Sequence, residues 1–444
     1  MASEAEARIS FVLRTVEERG IHFIRLWFVD VLGMLKSLAF PAAELPQAFL
    51  EGVGFDGSAI DGFARVQESD MLLKPDPETF QILPWRPETL EARVFCDVLT
   101  PDGSAFAGDP RQVLKRQLGR ASELGYSFYA GPEIEFFLFS SSKRPEPLDA
   151  GTYFDLTPLD SGSEFRRRVI AYLEAVGVPV KESHHEVAGS QHEIDLQYAD
   201  GLATADAITT FRLAVKEVAQ ESGYYATFMP KPLESTWGSG MHTHFSMFQG
   251  SRNAFYDTSS EAHLSKVGQA FVAGVLRHAR AMTAITNPLV NSYKRLVPGF
   301  EAPVSVCWGL RNRSALIRVP GTKPWKEDAA RIEYRALDPS TNPYLAFSVI
   351  LAAGLEGIAE GYELGPEAED NINEMPRAER LRLGIESLPG DLNEALDQME
   401  GSALVRKALG DHVFDWYLAN KRAEWEGYRS TVSEWELERY LPRY

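Results

Sequence analysis

Apolar residues recur along the chain with two different periods. Residues 9–19 carry them at helical spacing and stop at Gly20, which predicts a short amphipathic helix. Residues 22–29, His-Phe-Ile-Arg-Leu-Trp-Phe-Val, read as a strand. Asp30 to Gly33 supply a turn and residues 34–40 a returning strand, so the pair predicts a hairpin. Further strands are predicted at 80–85 and 92–99, closed by Thr100-Pro101-Asp102-Gly103-Ser104. The period changes at Asp109-Pro110-Arg111-Gln112, where a capping carboxylate and a proline open a helix. Val113, Leu114, Leu118 and Leu124 form its apolar stripe. The pattern therefore places a domain boundary near residue 105, giving units 1–105 and 106–444. Beyond it helices are predicted at 204–222, at 261–286, and from Pro343 through Gly354, the last apolar nearly all round and so buried. Residues 392–444 read as helical and charged, and 140–147 as a surface loop.

Within the second unit several strand-like segments alternate ionisable with aliphatic residues, which points to chemistry. In Gly131-Pro132-Glu133-Ile134-Glu135-Phe136 the two glutamates share one face, roughly 7 Å apart. Carboxylates so placed repel one another and resist burial, and a divalent cation relieves both costs. Glu193-Ile194-Asp195 repeats the pattern, with Glu186 just upstream. Met241-His242-Thr243-His244-Phe245-Ser246 puts two imidazoles and a hydroxyl on one face. Leu316-Ile317-Arg318-Val319 and Arg331-Ile332-Glu333-Tyr334-Arg335 add guanidinium groups. Strands with one polar face predict a curved sheet whose concave side is a charged, wet site. Ligands rich in carboxylate suit Mg²⁺ or Mn²⁺ better than structural Zn²⁺. The cluster Arg295, Arg311, Arg313, Arg318, Arg331 and Arg335 supplies forks for phosphate and carboxylate. Metals with clustered arginines are the equipment of phosphoryl transfer.

Composition narrows the setting. Lys+Arg number 45 against 63 Asp+Glu, a formal net charge of -18, which disfavours nucleic acid and anionic membranes as partners. The two cysteines, Cys96 and Cys307, lie in apolar strand-like contexts and predict buried thiols in a reducing compartment. No basic-then-apolar leader opens the sequence and no apolar stretch approaches the roughly 20 residues of a membrane span. Cytoplasm is the default expectation. Gly52-Val53-Gly54-Phe55-Asp56-Gly57 matches a dinucleotide fingerprint in spacing, but a helix-like stretch precedes it and no helix follows, so that reading is rejected.

At these residues the chain resembles the glutamine synthetase family, prokaryotic type I, over nearly its whole length. The resemblance is carried by Phe55-Asp56-Gly57-Ser58, Glu68-Ser69-Asp70-Met71, Gly131-Pro132-Glu133-Ile134-Glu135-Phe136, His185-Glu186-Val187, Lys231-Pro232, Gly238-Ser239-Gly240-Met241-His242, Asn291-Ser292-Tyr293-Lys294-Arg295 and Asn312-Arg313-Ser314. It implies an α+β chain with an N-terminal β-grasp domain and a catalytic α/β domain. It also implies a dodecamer of two hexameric rings, with active sites between adjacent subunits. The implied reaction joins L-glutamate and ammonia to L-glutamine through γ-glutamyl phosphate. ATP is the co-substrate, and Mg²⁺ or Mn²⁺ is bound at about two to three ions per site.

By the same resemblance Glu135, Glu186 and Glu193 hold one metal, and Glu133, His242 and Glu333 the other. Arg313, Arg318 and Arg331 face ATP phosphates, with His244 and Ser246 beside the nucleotide. Arg295, Arg335, Gly238 and Glu186 hold the glutamate. Glu301 closes the site as a flap, Asp56 of a neighbouring subunit takes the ammonium proton, and Tyr153 completes the cation pocket.

Three positions depart from the ammonia-using pattern. Ala59 replaces a serine beside the ammonium pocket, Trp237 replaces an asparagine before Gly238, and Asn373 replaces the tyrosine that some members adenylylate. Asn373 and Arg65 point to feedback control instead. Ala59 and Trp237 raise the alternative that the acceptor is a polyamine or another small amine. A non-catalytic homologue fits poorly with a full ligand set, and a metal-dependent hydrolase would leave the arginines without a purpose.

Overall fold

A computed structural model of the chain describes residues 4–60, 62, 70–85, 87–260, 263–321, 326–368, 372, 375–382 and 384–444. Arg65 and Asn373, and the Glu68-Ser69 part of the motif, lie outside these.

The first part of the chain forms helices α1 (Glu4–Arg19) and α2 (Leu45–Glu51) and a sheet. Its strands are β1 (Phe23–Val29), β2 (Leu35–Pro41), β3 (Val53–Asp56), β4 (Asp70–Pro75), β5 (Gln81–Ile82) and β6 (Glu91–Leu99). The strand order is β2-β1-β6-β4-β3, with β1 and β6 parallel. Alternate residues of β1 feed different cores. Ile24, Leu26 and Phe28 join Val12 and Val16 of α1, whereas Trp27 and Val29 belong to the large core of the rest of the molecule. Burial on both faces explains why this strand reads as an unbroken apolar run.

Helix α3 (Pro110–Glu123) follows, with the Asp109 carboxylate accepting from Arg111 N–H. The buried Arg111 guanidinium bonds Asp76 and Asp97 of the first sheet region and Asp206 at 2.7–3.0 Å, tying that sheet to the rest.

A second, larger sheet carries the polar strands. In chain order it comprises β7 (Ser127–Phe139), β8 (Val180–His185), β9 (Gln191–Leu196), β10 (Ala199–Asp200), β11 (Tyr225–Thr227), β12 (Met241–Gln249), β13 (Arg252–Asn253), β14 (Ser305–Gly309), β15 (Ala315–Arg318) and β16 (Ile332–Tyr334). The main path is β14-β15-β16-β12-β7-β9-β8. It is antiparallel throughout except between β14 and β15, which run parallel.

Around it pack α4 (Ser163–Ala175), α5 (Gly201–Glu221), α6 (Lys266–Thr286), the short α7 (Ser292–Arg295) and α8 (Pro343–Glu360). Helix α8 is the one described helix long and apolar enough to cross a membrane, and 78% of it is buried inside the protein. It runs past Gly354, where the sequence pattern stopped, because α6 and α8 approach closely. A Cβ on Gly274 would lie 2.2 Å from the Ala353 carbonyl, and one on Gly357 2.1 Å from that of Ala270. The glycines are there for contact, not to end the helix.

Other boundaries also moved. Helix α6 starts at Lys266, capped by the Ser265 hydroxyl. The strand predicted at 80–85 shrinks to two residues, and β3 and β4 were not foreseen. After α9 (Arg377–Arg382), the C-terminal stretch divides into α10 (Leu392–Glu400), α11 (Ala403–Leu409), α12 (Asp411–Arg429) and α13 (Glu434–Tyr440). Both cysteines are free and buried, and residues 140–147 are exposed apart from Leu148 beyond them, as expected of a loop.

Candidate active site

Strand register lines the polar residues up in rows. Arg318 lies opposite Glu333, Glu333 opposite His244, and His244 opposite Gly131. Two residues along, His242 faces Glu133, Glu133 faces Asp195, and Asp195 faces Glu182. A third row sets Glu135 against Glu193 and Glu193 against His184. Because alternate residues share a face, all three rows point to one side of the sheet.

Two clusters of metal-binding groups result. In the first, Glu133, His242 and Glu333 each offer a ligand atom within 4.8 Å of the others. Glu333 is buried between two guanidinium groups, accepting from Arg318 Nε at 2.5 Å and pairing with Arg335. Glu133 accepts from His244 Nε2 at 2.9 Å, while Arg331 Nε donates to His244 Nδ1 at 3.3 Å. That chain of contacts fixes one tautomer: the proton sits on Nε2 and the lone pair on Nδ1. Burial would raise the Glu133 carboxyl, but His244, Lys181 and Arg335 outweigh it and hold its pKa below the usual value. Burial, with Arg335 and Arg295 nearby, pushes His242 far down, so its imidazole is neutral and free to ligate.

In the second cluster His184, Glu186 and Glu193 offer ligand atoms within 4.8 Å, with Glu135 alongside. Amide donors reach Glu135, from Gln191 Nε2 at 2.9 Å and Gly240 N at 3.0 Å. Glu186 takes His184 Nε2 at 3.0 Å and Val187 N at 2.9 Å. Burial raises the pKa of Glu135, and Glu186 adds to it. Glu193 is pushed well up by burial and then by Glu135, Asp195 and Glu186. Burial would raise Glu186 too, but its hydrogen bonds from His184 and Val187 N–H outweigh it and hold its pKa below the usual value. Glu135 and Glu193 are therefore the carboxylates short of positive charge. An oxygen-rich set with imidazole, in which two ionisations are opposed by burial and like charge, fits a hard divalent cation. The residues present therefore fit the expected Mg²⁺ or Mn²⁺.

The clusters open into a cavity of about 410 Å³. Arg295, Arg335, Arg318 and Arg313 line it together with the carboxylates and Gly238. Arg295 is held by the carbonyls of Arg335, Ala336 and Leu337 at 2.8–3.3 Å. A Cβ on Gly240 would come within 2.6 Å of its Nη2, so only glycine lets the guanidinium reach that position. Tyr153, Phe154, Trp237, Phe300 and Glu301 line the cavity as well. A second cavity, of about 350 Å³, contains His244, Ser246 and Arg331 with Tyr129 and Tyr198, and shares Glu133 and Asp195 with the first.

The structure thus brings together all the site residues that the sequence pointed to, with two exceptions. Asp56, on the edge strand β3, is exposed, accepts from Ser58 N–H at 2.8 Å and lines neither cavity of this chain. Arg311 is likewise exposed and outside both. Ala59 is exposed beside Asp56. Asp195, noted in the alternating pattern, lines both cavities, whereas His184, Gln191, Phe154 and Phe300 were not picked out from the sequence. Of these only His184 carried a signal, since it lies two residues before the assigned Glu186.

Comparison with known proteins agrees with this geometry. Residues 20–101 match the family model "Glutamine synthetase, beta-Grasp domain" and residues 107–440 match "Glutamine synthetase, catalytic domain". The chain is 54% identical over 438 residues to the glutamine synthetase of Mycolicibacterium smegmatis, covering 97% of this chain and 98% of that one. It is 51% identical to the glutamine synthetase of Methanosarcina mazei, with 97% of each covered. Among solved structures, one described as "GmaS/ADP complex-Conformation 1" is 33% identical with a TM-score of 0.88, covering 97% of this chain and 99% of that one. Plasmodium falciparum glutamine synthetase, 24% identical with a TM-score of 0.89 over 99% of both chains, shares the fold.

Proposed function

This chain belongs to the glutamine synthetase family, and from that premise we propose that it joins L-glutamate and ammonia to L-glutamine at the expense of ATP. The observation that carries the reading is Glu133, which stands in a carboxylate cluster and borders both cavities. One cavity then takes glutamate, and the other the nucleotide.

A carboxylate is a poor acyl donor because its leaving group would be oxide. Phosphorylation by ATP converts it to γ-glutamyl phosphate, whose leaving group is phosphate. Arg295 and Arg335, with Gly238 and Glu186, hold the glutamate with its side chain toward the second cavity. Arg313, Arg318 and Arg331 take the charge of the phosphates, and His244 and Ser246 sit beside the nucleotide. Glu133, His242 and Glu333 would hold one Mg²⁺ or Mn²⁺, and Glu135, Glu186 and Glu193 another. When bound, these ions neutralise phosphate charge and polarise the reacting oxygens.

Ammonium attacks only after losing a proton. Asp56 of an adjacent subunit, with Ser58 N–H holding its carboxyl below the usual value, serves as the base. Tyr153 and Glu301 complete the cation pocket. Glu301 is exposed and lines the first cavity, a position consistent with the flap that the family resemblance implies, covering the site and excluding water. A base from a neighbour requires at least two subunits, and the family resemblance implies that the active form is a homo-oligomer, a dodecamer of two hexameric rings, working in the cytoplasm. The division near residue 105 separates the Asp56-bearing domain from the rest of the site.

The aromatic part of the lining favours a second reading. The Trp237 and Phe300 rings lie 6.4 Å apart, and Tyr153 and Phe154 line the same cavity. Such a lining suits the alkyl chain of a polyamine or other small amine. Glutamate-dependent phosphate release from ATP, measured with ammonium and then with a panel of amines, decides. Turnover best with ammonium supports glutamine synthesis. Turnover far better with putrescine or ethanolamine moves the assignment to an amine ligase, and no release with any acceptor ends the proposal.

A further inference from the structure

Strand β8, which ends just before Glu186, and strand β9, which bears Glu193, carry a second set of polar residues on the reverse side. His185 precedes Glu186 and His192 precedes Glu193, and both imidazoles are fully buried. His192, Asp160 and His185 offer ligand atoms within 4.8 Å of one another, a spacing that would suit a metal. A cation already stands there. The Arg166 guanidinium, on α4, donates to both oxygens of Asp160 at 3.1 and 2.6 Å, and to His192 Nδ1 at 2.8 Å. Both nitrogens of His185 are also engaged, with Asp149 at 3.1 Å and the Glu186 carbonyl at 2.6 Å. A divalent ion would have to displace a fixed guanidinium fork, so the cluster is not a metal site.

What it holds is the irregular segment 149–161, which bears Tyr153 and Phe154. Asp149 and Asp160 stand at its two ends. Its ends are also tied together, since Asp149 accepts from Ser161 N and Oγ at 3.0 and 2.7 Å. In its middle, Phe154 N donates to the His185 carbonyl at 3.1 Å. The packing leaves no slack: a Cβ on Gly162 would sit 2.3 Å from the His192 ring, and one on Gly151 2.7 Å from His185 Nε2. One face of β8 and β9 therefore sets the carboxylate cluster, while the other face sets the loop that brings Tyr153 to the same cavity.

We propose that Arg166 is a positioning residue for the amine half of the site, acting through Asp160 and His192 to lock the Tyr153 loop to the strand of Glu193. The inference rests on the proposed function, because the loop matters only if an amine is bound beside Tyr153. Lysine at 166 keeps the charge but cannot span Asp160 and His192 with a planar fork.

The test uses the full-length enzyme and the variants Arg166→Lys, Tyr153→Ala and the two combined. The amine that wild type uses best, ATP and glutamate are varied in turn. Arg166→Lys should raise KM for the amine about tenfold, as loss of an outer-layer partner does, with KM for ATP unchanged. Phosphate released per amide formed should rise above one, because a loosened pocket lets water reach the acyl phosphate. In the Tyr153→Ala background the same substitution should add little to KM for the amine. A fall in kcat alone, with KM and stoichiometry unchanged, overturns the proposal, as does full additivity with Tyr153→Ala. If Arg166→Lys fails to fold, Asp160→Asn is read by the same criteria. Wild type that releases no glutamate-dependent phosphate defeats the proposed function itself. An active wild type with an ordinary Arg166→Lys defeats this inference alone.

Discussion

Glu333 and Glu193 are buried carboxylates on one sheet, each in a three-residue cluster of possible metal ligands, yet their surroundings are opposite. Glu333 lies between Arg318 and Arg335, so its charge is matched before any ion arrives. Glu193 faces Glu135 across the strand pair and has Glu186 and Asp195 nearby, so its charge is opposed. The first cluster is a finished ion-pair network able to accept an ion that already carries phosphates. In the second, Glu135 and Glu193 are held together against repulsion that added positive charge would relieve, while His184 and Val187 N–H favour the ionised form of Glu186 alone. Residue types alone do not distinguish two such sites; the neighbours do.

The comparison is broken most sharply by neutralising each carboxylate in turn. Glu333→Gln leaves two arginines without their partner and should lower the stability of the metal-free protein by about 3–5 kcal/mol. Glu193→Gln removes a repelled charge and should raise metal-free stability by about 1 kcal/mol. Both should reduce synthesis by about a hundredfold or more. Urea denaturation in chelator at fixed subunit concentration measures the first pair of values, and steady-state assays the second. Equal destabilisation by both variants would erase the distinction.

Metal addition sharpens it. Mn²⁺ at about a hundred times its Kd should stabilise wild type by about 2.7 kcal/mol per site, and Glu193→Gln should forfeit most of that gain. Thermal unfolding with and without Mn²⁺ reads this directly. A smaller effect concerns pH in the absence of metal. Glu135 and Glu193 have native pKa values raised above their unfolded ones. Groups of that kind favour the fold below the unfolded value, about 4.3, and lose that contribution as pH rises through the native values. Metal-free wild type should therefore lose stability as pH climbs from about 4.3 toward and beyond neutrality. Glu193→Gln should flatten the slope, and saturating Mn²⁺ should cancel it. A wild-type curve that is flat in chelator would contradict the raised values.

Much of this was legible in the chain because strand alternation puts chemistry and core in separate registers. Glu133 and Glu135 stood out among Ile134, Phe136 and Phe137, and β1 stood out because both of its faces are buried. Strands β3 and β4 did not, since β3 is short, begins after Gly52 and buries neither face completely. His184 joins Glu193 only through the register between β8 and β9, which a linear reading cannot fix. The Arg166 network was invisible for a similar reason: its members come from a loop, a helix and two strands. The individual roles of the site residues rested on family resemblance rather than on pattern.

Arg311 shows where proximity in sequence misleads. It lies between the strands of Arg318 and Cys307 and two residues before Arg313, and composition alone made it one of six clustered arginines. In the fold it is exposed and lines neither cavity, whereas Arg295, from a different helix, is buried with its guanidinium held by three carbonyls. A basic residue acts on a bound phosphate only from the cavity wall, as Arg313 can although it too is exposed, and solvent screens one that lines neither cavity. Arg311→Ala should accordingly leave KM for ATP and glutamate within about twofold and stability within about 0.5 kcal/mol. Arg295→Ala, measured beside it, should abolish glutamate binding. An Arg311 effect on ATP as large as that of Arg331→Ala would mean that the loop carries its charge into the nucleotide cavity during turnover, and the contrast between screened and fixed arginines would fail with it.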